Sequence, residues 1–296
     1  MDENARLAER FEANRPRLRR VAYRMLGSLS DADDAVQEAW IRLSRTDTDA
    51  IDNLQAWLTT VVGRVCLNML RSRTTRHEMS LETHVPDLIV SPEAGVDPEQ
   101  AAILDDSVGL ALFVVLDALT PAERVAFVLH DIFDAPFDEI APIVGRTPTA
   151  ARQLASRARR RVQGASVPVP DVDLDGQWAV ADAFFAAARD GAFDRLLTVL
   201  DPDIVLRSDG GAARPGLSSH AHGAKAVAEQ AMTFRRFTET AKRILVNGIP
   251  GGVAWAPDGS PFAILALTVK GGRIVAIYVL ADPQRLSQLD LPVVAG

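Results

Sequence analysis

IAPIVGRTPTAARQLASRARRRVQ, running from Ile140 to Gln163, holds six arginines and no acidic residue in a chain whose net charge is −7. Thr147-Pro148 reads as a helix start, a hydroxyl cap followed by proline at the first helical position. On a helix from Pro148, Ala151, Leu154, Ala155, Ala158 and Val162 share one apolar face. Thr149, Arg152, Gln153, Ser156 and Arg160 share the opposite face, with donors for base edges at its centre and cations for phosphates around it. Upstream, Thr120-Pro121-Ala122-Glu123 is a capping box, and a short apolar segment, Phe137 to Val144, precedes a turn at Gly145-Arg146. Helix, short helix, glycine turn and basic helix make a helix-turn-helix, and major-groove reading is favoured over a merely solvated basic face.

Outward from this stretch, charge divides the chain into blocks. Between Arg76 and Arg124 lie 47 residues without lysine or arginine and with ten acids, among them Glu82, Asp87, Glu93, Asp97 and Glu99. Before that block no acid occurs between Asp52 and Glu78. There a helix from about Leu54 buries Leu58, Val61, Val65 and Met69 and turns Arg64, Asn68 and Arg71 to one polar face. Arg73 and Arg76 extend this second basic surface. Further upstream, Leu18, Val21, Met25, Leu26 and Leu29 keep helical spacing, interrupted or ended at Gly27-Ser28. Ser30-Asp31-Ala32-Asp33 reads as a fresh cap with an acidic first turn. Val36, Trp40 and Leu43 then point inward, with Asp33, Asp34, Gln37 and Glu38 largely outward.

The 296 residues suit two or three domains. No apolar run is long enough for a membrane span and no signal peptide opens the chain, so no membrane partner is expected. Cys66, the single cysteine, excludes an internal disulfide and fits a reducing cytoplasm. It lies among valines, as a buried thiol would. Prolines and glycines break up residues 77–98, and a second linker covers 165–175. Beyond it the pattern changes class. Trp178, Ala181, Phe184, Phe185 and Ala188 form an amphipathic helix, followed by a second from Phe193 to Leu200. Ile204 to Arg207 reads as a short strand, Gly216 to Gly223 as a loop, and His220 to Phe237 as a helix. Ala263–Val269 and Arg273–Leu280 form a hairpin across Gly271-Gly272. Helices followed by an antiparallel sheet indicate an α+β cone.

Taken together, these blocks resemble the bacterial extracytoplasmic-function sigma factors (group IV of the sigma-70 family), in the branch with a SnoaL-like, NTF2-fold extension. Ala22-Tyr23-Arg24-Met25-Leu26-Gly27-Ser28 and Asp33-Asp34-Ala35-Val36-Gln37-Glu38-Ala39-Trp40 match the start of that family's region 2. The resemblance implies docking on core RNA polymerase through Asp33, Asp34, Val36, Gln37 and Glu38. It implies −10 recognition and melting through Arg64, Asn68, Arg71 and Arg73. Region 4 would read the −35 element through Thr149, Arg152, Gln153, Ser156, Arg157 and Arg160. The expected fold is multi-domain: a region 2 helical bundle (1–76), an acidic linker (77–100), a region 4 helix-turn-helix (101–164), a linker (165–175) and a SnoaL-like α+β cone (176–296). The acidic block suits a linker that threads polymerase's positively lined channel.

Three motifs of this branch occur in degraded form. Its tryptophan-leucine-proline-glutamate-proline signature corresponds to His84-Val85-Pro86-Asp87-Leu88. An aspartate with a glycine run corresponds to Asp209-Gly210-Gly211-Ala212-Ala213-Arg214. Its terminal asparagine-proline-aspartate-lysine-leucine corresponds to Asp282-Pro283-Gln284-Arg285-Leu286. The resemblance implies regulation in cis, with Asp209, Gly210, Gly211, Arg214, Asp282, Pro283 and Leu286 contacting the linker near Pro86 and Asp87. Pro142, inside the short helix, is expected to kink or stop it. Promoter DNA and core RNA polymerase are the implied partners, with no cofactor and no metal, and a small-molecule ligand in the C-terminal domain is left open. Asp209, His220 and His222, with Arg207 and Arg214 nearby, are the candidates for catalysis, although exposed histidines on a loop are the favoured reading. The alternative function is an NTF2-fold ligand sensor or enzyme fused to a DNA-binding module.

Overall fold

The computed structural model describes residues 3–48, 51–76, 85–92, 110–164, 170–235, 241–289 and 291. Most of the acidic block, including Glu82, Glu93, Asp97 and Glu99, lies outside the described residues, as do His84, Phe237 and residues 165–169. The chain divides into two compact units, 1–79 with 98–106 and 115–167, and 80–97 with 107–114 and 168–296.

The first unit opens with a bundle of α1 (Glu3–Leu26), α2 (Leu29–Leu43) and α3 (Leu54–Arg76). Its core is Phe11, Leu18, Val21, Met25, Val36, Leu43, Leu58 and Val62, all buried. Gly27 ends α1 in the left-handed region at φ 67°, where a side chain would be strained. The cap of α2 is Ser28, whose Oγ accepts the Asp31 amide. The expected cap, Ser30, lies inside the helix because the turn at Gly27 places the cap two residues earlier. The stripe of α3 also differs from the expectation: Cys66, Leu67 and Leu70 are buried, Val65 and Met69 only half so. This helix packs on α1 and α2 on one side and on the helix-turn-helix on another, so no single apolar stripe describes it.

The helix-turn-helix follows α4 (Leu110–Asp117). It comprises α5 (Pro121–Phe127), which runs on as a π-helical turn Val128–Ile132, then α6 (Phe137–Val144) and α7 (Pro148–Gly164). Pro142 does not stop α6, which runs two residues further to Val144 and is closed by Gly145, a left-handed cap with φ 67°. Ala151, Ala155 and Ala158 of α7 are fully buried, and their small size lets α7 lie close on α5.

The second unit is a mixed seven-stranded sheet in the order β1-β4-β5-β6-β7-β2-β3. Its strands are β1 (Val90–Ser91), β2 (Leu200–Asp209), β3 (Ser219–His222), β4 (Lys242–Val246), β5 (Ile249–Trp255), β6 (Pro261–Lys270) and β7 (Arg273–Leu280). Helices α8 (Leu174–Asp190), α9 (Phe193–Val199) and α10 (Ala224–Thr233) cover it, and α11 (Pro283–Leu286) ends it. Trp178, Phe184, Leu196, Leu206, Val227, Leu267 and Ile277 anchor the core between helices and sheet. This is the expected α+β architecture, with three differences. The strand expected at 204–207 starts at Leu200 and pairs parallel to β7. The expected loop at 216–223 contains β3, paired antiparallel to β2. The helix expected from His220 starts at Ala224.

Candidate functional site

The face of α7 expected to meet DNA is solvent-facing, as the helical periodicity predicts. Thr149, Arg152, Gln153, Arg157 and Arg160 are exposed and Ser156 is half-buried. Thr147 caps α7, its Oγ accepting the Ala150 amide at 3.3 Å. The guanidinium of Arg152 lies 5.2 Å from the centre of the Phe137 ring, which stiffens a long side chain next to Gln153. Arg157 is engaged within the protein: its Nε donates to Glu123 Oε1 at 3.0 Å, and Arg161 donates to Oε2 at 2.7 Å.

Glu123 completes the capping box with Thr120 and is only 4% exposed. Burial raises the proton affinity of its carboxyl. Bonds from the Thr120 hydroxyl, Arg157 and the Thr120 amide, with the Arg161 charge, outweigh that and hold its pKa below the ordinary value. One glutamate thus fixes the start of α5 and the C-terminal half of the recognition helix. Sequence reading found its cap role and missed its anchor role, because Arg157 and Arg161 lie 34 and 38 residues away.

On α3, Arg64, Asn68 and Arg71 are all exposed on one face. Arg64 Nη2 reaches the Pro142 carbonyl of α6 at 3.4 Å. Gly63, one residue earlier, is where α3 and α6 approach: a Cβ there would lie 3.1 Å from an Ile143 methyl carbon. Arg73 departs from its expected DNA role. Its Nη1 donates to the Leu26 carbonyl at 2.8 Å and its Nη2 pairs with Asp31, so it locks α3 to the α1–α2 junction. The side chain of Arg76 lies outside the described residues. On α2, Asp34 and Gln37 are exposed, Asp33 pairs with Arg19 and Glu38 with Arg42. Val36 is only 1% exposed and faces the bundle core. It cannot meet a docking partner without unfolding α2, so its contribution is to packing.

The linker motif and both C-terminal motifs meet within the second unit. Asp209 Oδ2 accepts from the Val85 amide at 3.3 Å and from Arg285 Nη1 at 2.9 Å. Arg285 Nη2 donates to Asp87 Oδ1 at 2.8 Å, so one guanidinium bridges two carboxylates. Beside this clamp the chain joins the sheet. Val90 pairs with Val246 and Ser91 with Leu245. Asn247 takes the Ile89 amide on Oδ1 at 3.0 Å and donates its own amide to the Ile89 carbonyl at 2.8 Å. Val85, Pro86, Leu88, Ile89, Val90 and Ser91 are buried. Residues 85–91, expected as part of a linker, form an edge strap on the C-terminal sheet.

The glycine run is needed for this geometry. Gly211 has φ 61°, and a Cβ there would collide with the Asp282 carboxylate. One at Gly210 would strike the Arg214 carbonyl. Arg214 donates to the Phe262 and Ala281 carbonyls at 3.0 and 3.2 Å, stitching the ends of β6 and β7. Asp282 caps α11 through the Gln284 amide, Pro283 is half-buried, and Leu286 is buried at 1% exposed. Leu286 therefore seats α11, while Arg285 of the same motif makes the bridge. His220 and His222 alternate outward on β3 and are exposed.

Residues 10–76 match Sigma-70 region 2 and residues 110–162 match Sigma-70, region 4. The two helical domains are therefore those of a sigma-70-type factor. The chain is 35% identical to the ECF RNA polymerase sigma factor SigJ of Mycobacterium tuberculosis H37Rv, over 94% of this chain and 92% of that one. It is 36% identical to the probable ECF RNA polymerase sigma factor SigI of the same organism, over 98% of each chain. The crystal structure of Mycobacterium tuberculosis SigJ matches with a TM-score of 0.79, covering 96% of this chain and 100% of that one. The chain belongs to the ECF RNA polymerase sigma factors. Among the described residues no helix is long and apolar enough to cross a membrane.

Proposed function

We propose that this chain directs promoter-specific transcription initiation under the control of its own C-terminal domain. Core RNA polymerase docks on the α2 surface around Asp34 and Gln37. The α3 face with Arg64, Asn68 and Arg71 engages the −10 element, and α7 reads the −35 element through Arg152 and Gln153, with Arg160 on phosphate. The C-terminal domain regulates by holding the strap at residues 85–91. A strap paired with β4 cannot at the same time be an extended linker in polymerase, so each state excludes the other. The observation that carries this reading is the Asp87–Arg285–Asp209 bridge, which joins all three motifs. Phe137, already stacked under Arg152, supports a fixed reading helix.

Catalysis is not part of this reading. The apolar cavity between α8, α10 and the sheet has no ionisable side chain among the described residues that line it, and general acid–base chemistry there would need one within reach of the reacting atoms. That cavity is the place where a small molecule would act. Gel-shift assays with core RNA polymerase and promoter fragments test the proposal. Specific retardation that depends on polymerase supports it. Operator binding by the chain alone, unchanged by polymerase, favours a fused sensor acting as an ordinary repressor or activator.

A further inference from the structure

The cavity lies between α8, α10 and the sheet. Phe184 and Phe185 of α8, Leu206 of β2, Phe262 of β6 and Ile277 of β7 give it apolar walls. Among the described lining residues the polar side chains are those of Ser208 and Gln230. Ser208 is 5% exposed, and Gln230 donates through Nε2 to Ser219 Oγ at 2.6 Å, which fixes the direction of its amide. Centres of water-sized spheres fit over about 80 Å³. At roughly 10–15 Å³ per water centre and about 30 Å³ per water in the liquid, that is space for about six waters, or about ten non-hydrogen atoms. An apolar space of this kind is poorly wetted and gains when a matching apolar molecule fills it. A charged ligand would find no counter-charge among the described lining residues, and an unpaired buried charge is strongly disfavoured.

We propose that this cavity is a receptor site for an uncharged, mostly apolar molecule of one or two rings, bearing a single hydroxyl or carbonyl that bonds with Ser208 or Gln230. Its walls also lead to the strap. Ser208 directly precedes Asp209, and Ala281, another lining residue, directly precedes Asp282. The Ala281 amide donates to the Asp209 carbonyl at 2.7 Å, so these wall residues share a backbone bond with the residue that holds Val85 and Arg285. Filling the cavity shifts the stability of the strap. This second step rests on the proposed regulation by the C-terminal domain, whereas the ligand site stands without it.

The test uses the full chain and 2-naphthol, neutral at pH 7 and about eleven non-hydrogen atoms, with anionic 2-naphthoate as control, both followed by fluorescence titration. Saturable binding of 2-naphthol at least tenfold tighter than 2-naphthoate is expected. Ala231→Phe, which fills the cavity from α10, should weaken it at least tenfold, and Ser208→Ala should weaken it several-fold. If Ala231→Phe fails to fold, Val279→Phe fills the space from the opposite wall. Equal binding of the two probes, or 2-naphthol binding untouched by the filling variants, overturns the site. So does the absence of saturable binding for 2-naphthol and for a panel of neutral one-ring alcohols and ketones. Hydrogen exchange at the Val85 and Ile89 amides, with and without 2-naphthol, reads the second step: a change of threefold or more supports it. Unchanged exchange at saturating probe overturns the coupling and leaves the ligand site standing.

Discussion

Replacing Arg285 by methionine keeps the length and packing of the side chain and deletes its fork. Four strap side chains, Val85, Leu88, Ile89 and Val90, are at most 7% exposed, and burying them contributes about 8 kcal/mol at roughly 2 kcal/mol each. Ordering the seven residues 85–91 costs about 10 kcal/mol at roughly 1–2 kcal/mol each. These terms nearly cancel, so the clamp decides whether the strap stays. In the Arg285–Asp209 pair the side chains are 19% and 13% exposed, and a hydrogen bond to a charged partner there is worth about 2 kcal/mol. Asp87 is 25% exposed, so its pair with Arg285 is screened and adds about 0.5 kcal/mol. Losing both opens the strap about 60-fold more often, since each 1.4 kcal/mol is a factor of ten. Native-state hydrogen exchange resolved at the Val85 and Ile89 amides measures this directly. Acceleration of about 60-fold there, with α1 to α3 unchanged, is expected. Less than threefold, or equal acceleration throughout the chain, refutes the reasoning.

The remaining predictions concern the helical unit. Glu123→Gln should lower stability at pH 7 by about 1–2 kcal/mol, because two arginines and a cap lose their charged acceptor. The folded pKa of Glu123 lies below its unfolded value, so its contribution is present above the unfolded pKa of about 4.3 and is lost as pH falls through the folded value. Chemical denaturation should therefore show the gap between the two proteins shrinking as pH falls below the unfolded pKa, and a gap that stays constant or widens on acidification contradicts the assignment. Burial raises the Cys66 thiol pKa to about 12, above an unfolded value of about 8.5. Iodoacetamide at pH 8 should label it only after denaturation, and the stability it contributes should fade as pH rises from about 9 toward the folded value; fast labelling of native protein would contradict this. Gln153→Ala should cost about 1–3 kcal/mol at one −35 base pair and relax preference there, whereas Arg160→Ala should weaken all sequences alike and reduce the salt slope by about one. Competition binding across a −35 library separates them, and the reverse pattern would exchange their roles.

Local signals carried most of the helical unit. The capping box at Thr120, the left-handed Gly145 and the alanine face of α7 are each written within a few residues, and the structure keeps them. What sequence left hidden depends on distant partners. Val36 and Arg73 have the residue types of an interaction surface, but their roles are set by the α1–α3 bundle, which no local pattern reveals. The two-residue strand β1 is too short to carry an alternation, and its pairing with β4 spans more than 150 residues. Asn247-Gly248 was the available sign of the β4–β5 hairpin: both residues have positive φ, 50° and 79°. Gly251 and Gly252 masked β5, since glycine is depleted in strands, yet a Cβ at Gly251 would collide with the Leu265 carbonyl of β6. Arg285 lay inside a recognised motif, but only the fold places it between Asp87 and Asp209.

Run-off transcription with purified core RNA polymerase and a panel of candidate promoters tests the central claim most directly, comparing the full chain with Arg285→Met. The account predicts promoter-specific transcript from both, and more from Arg285→Met at equal concentration, because its strap is released to polymerase more often. Absence of transcript from either form, together with no binding to core polymerase, would contradict it.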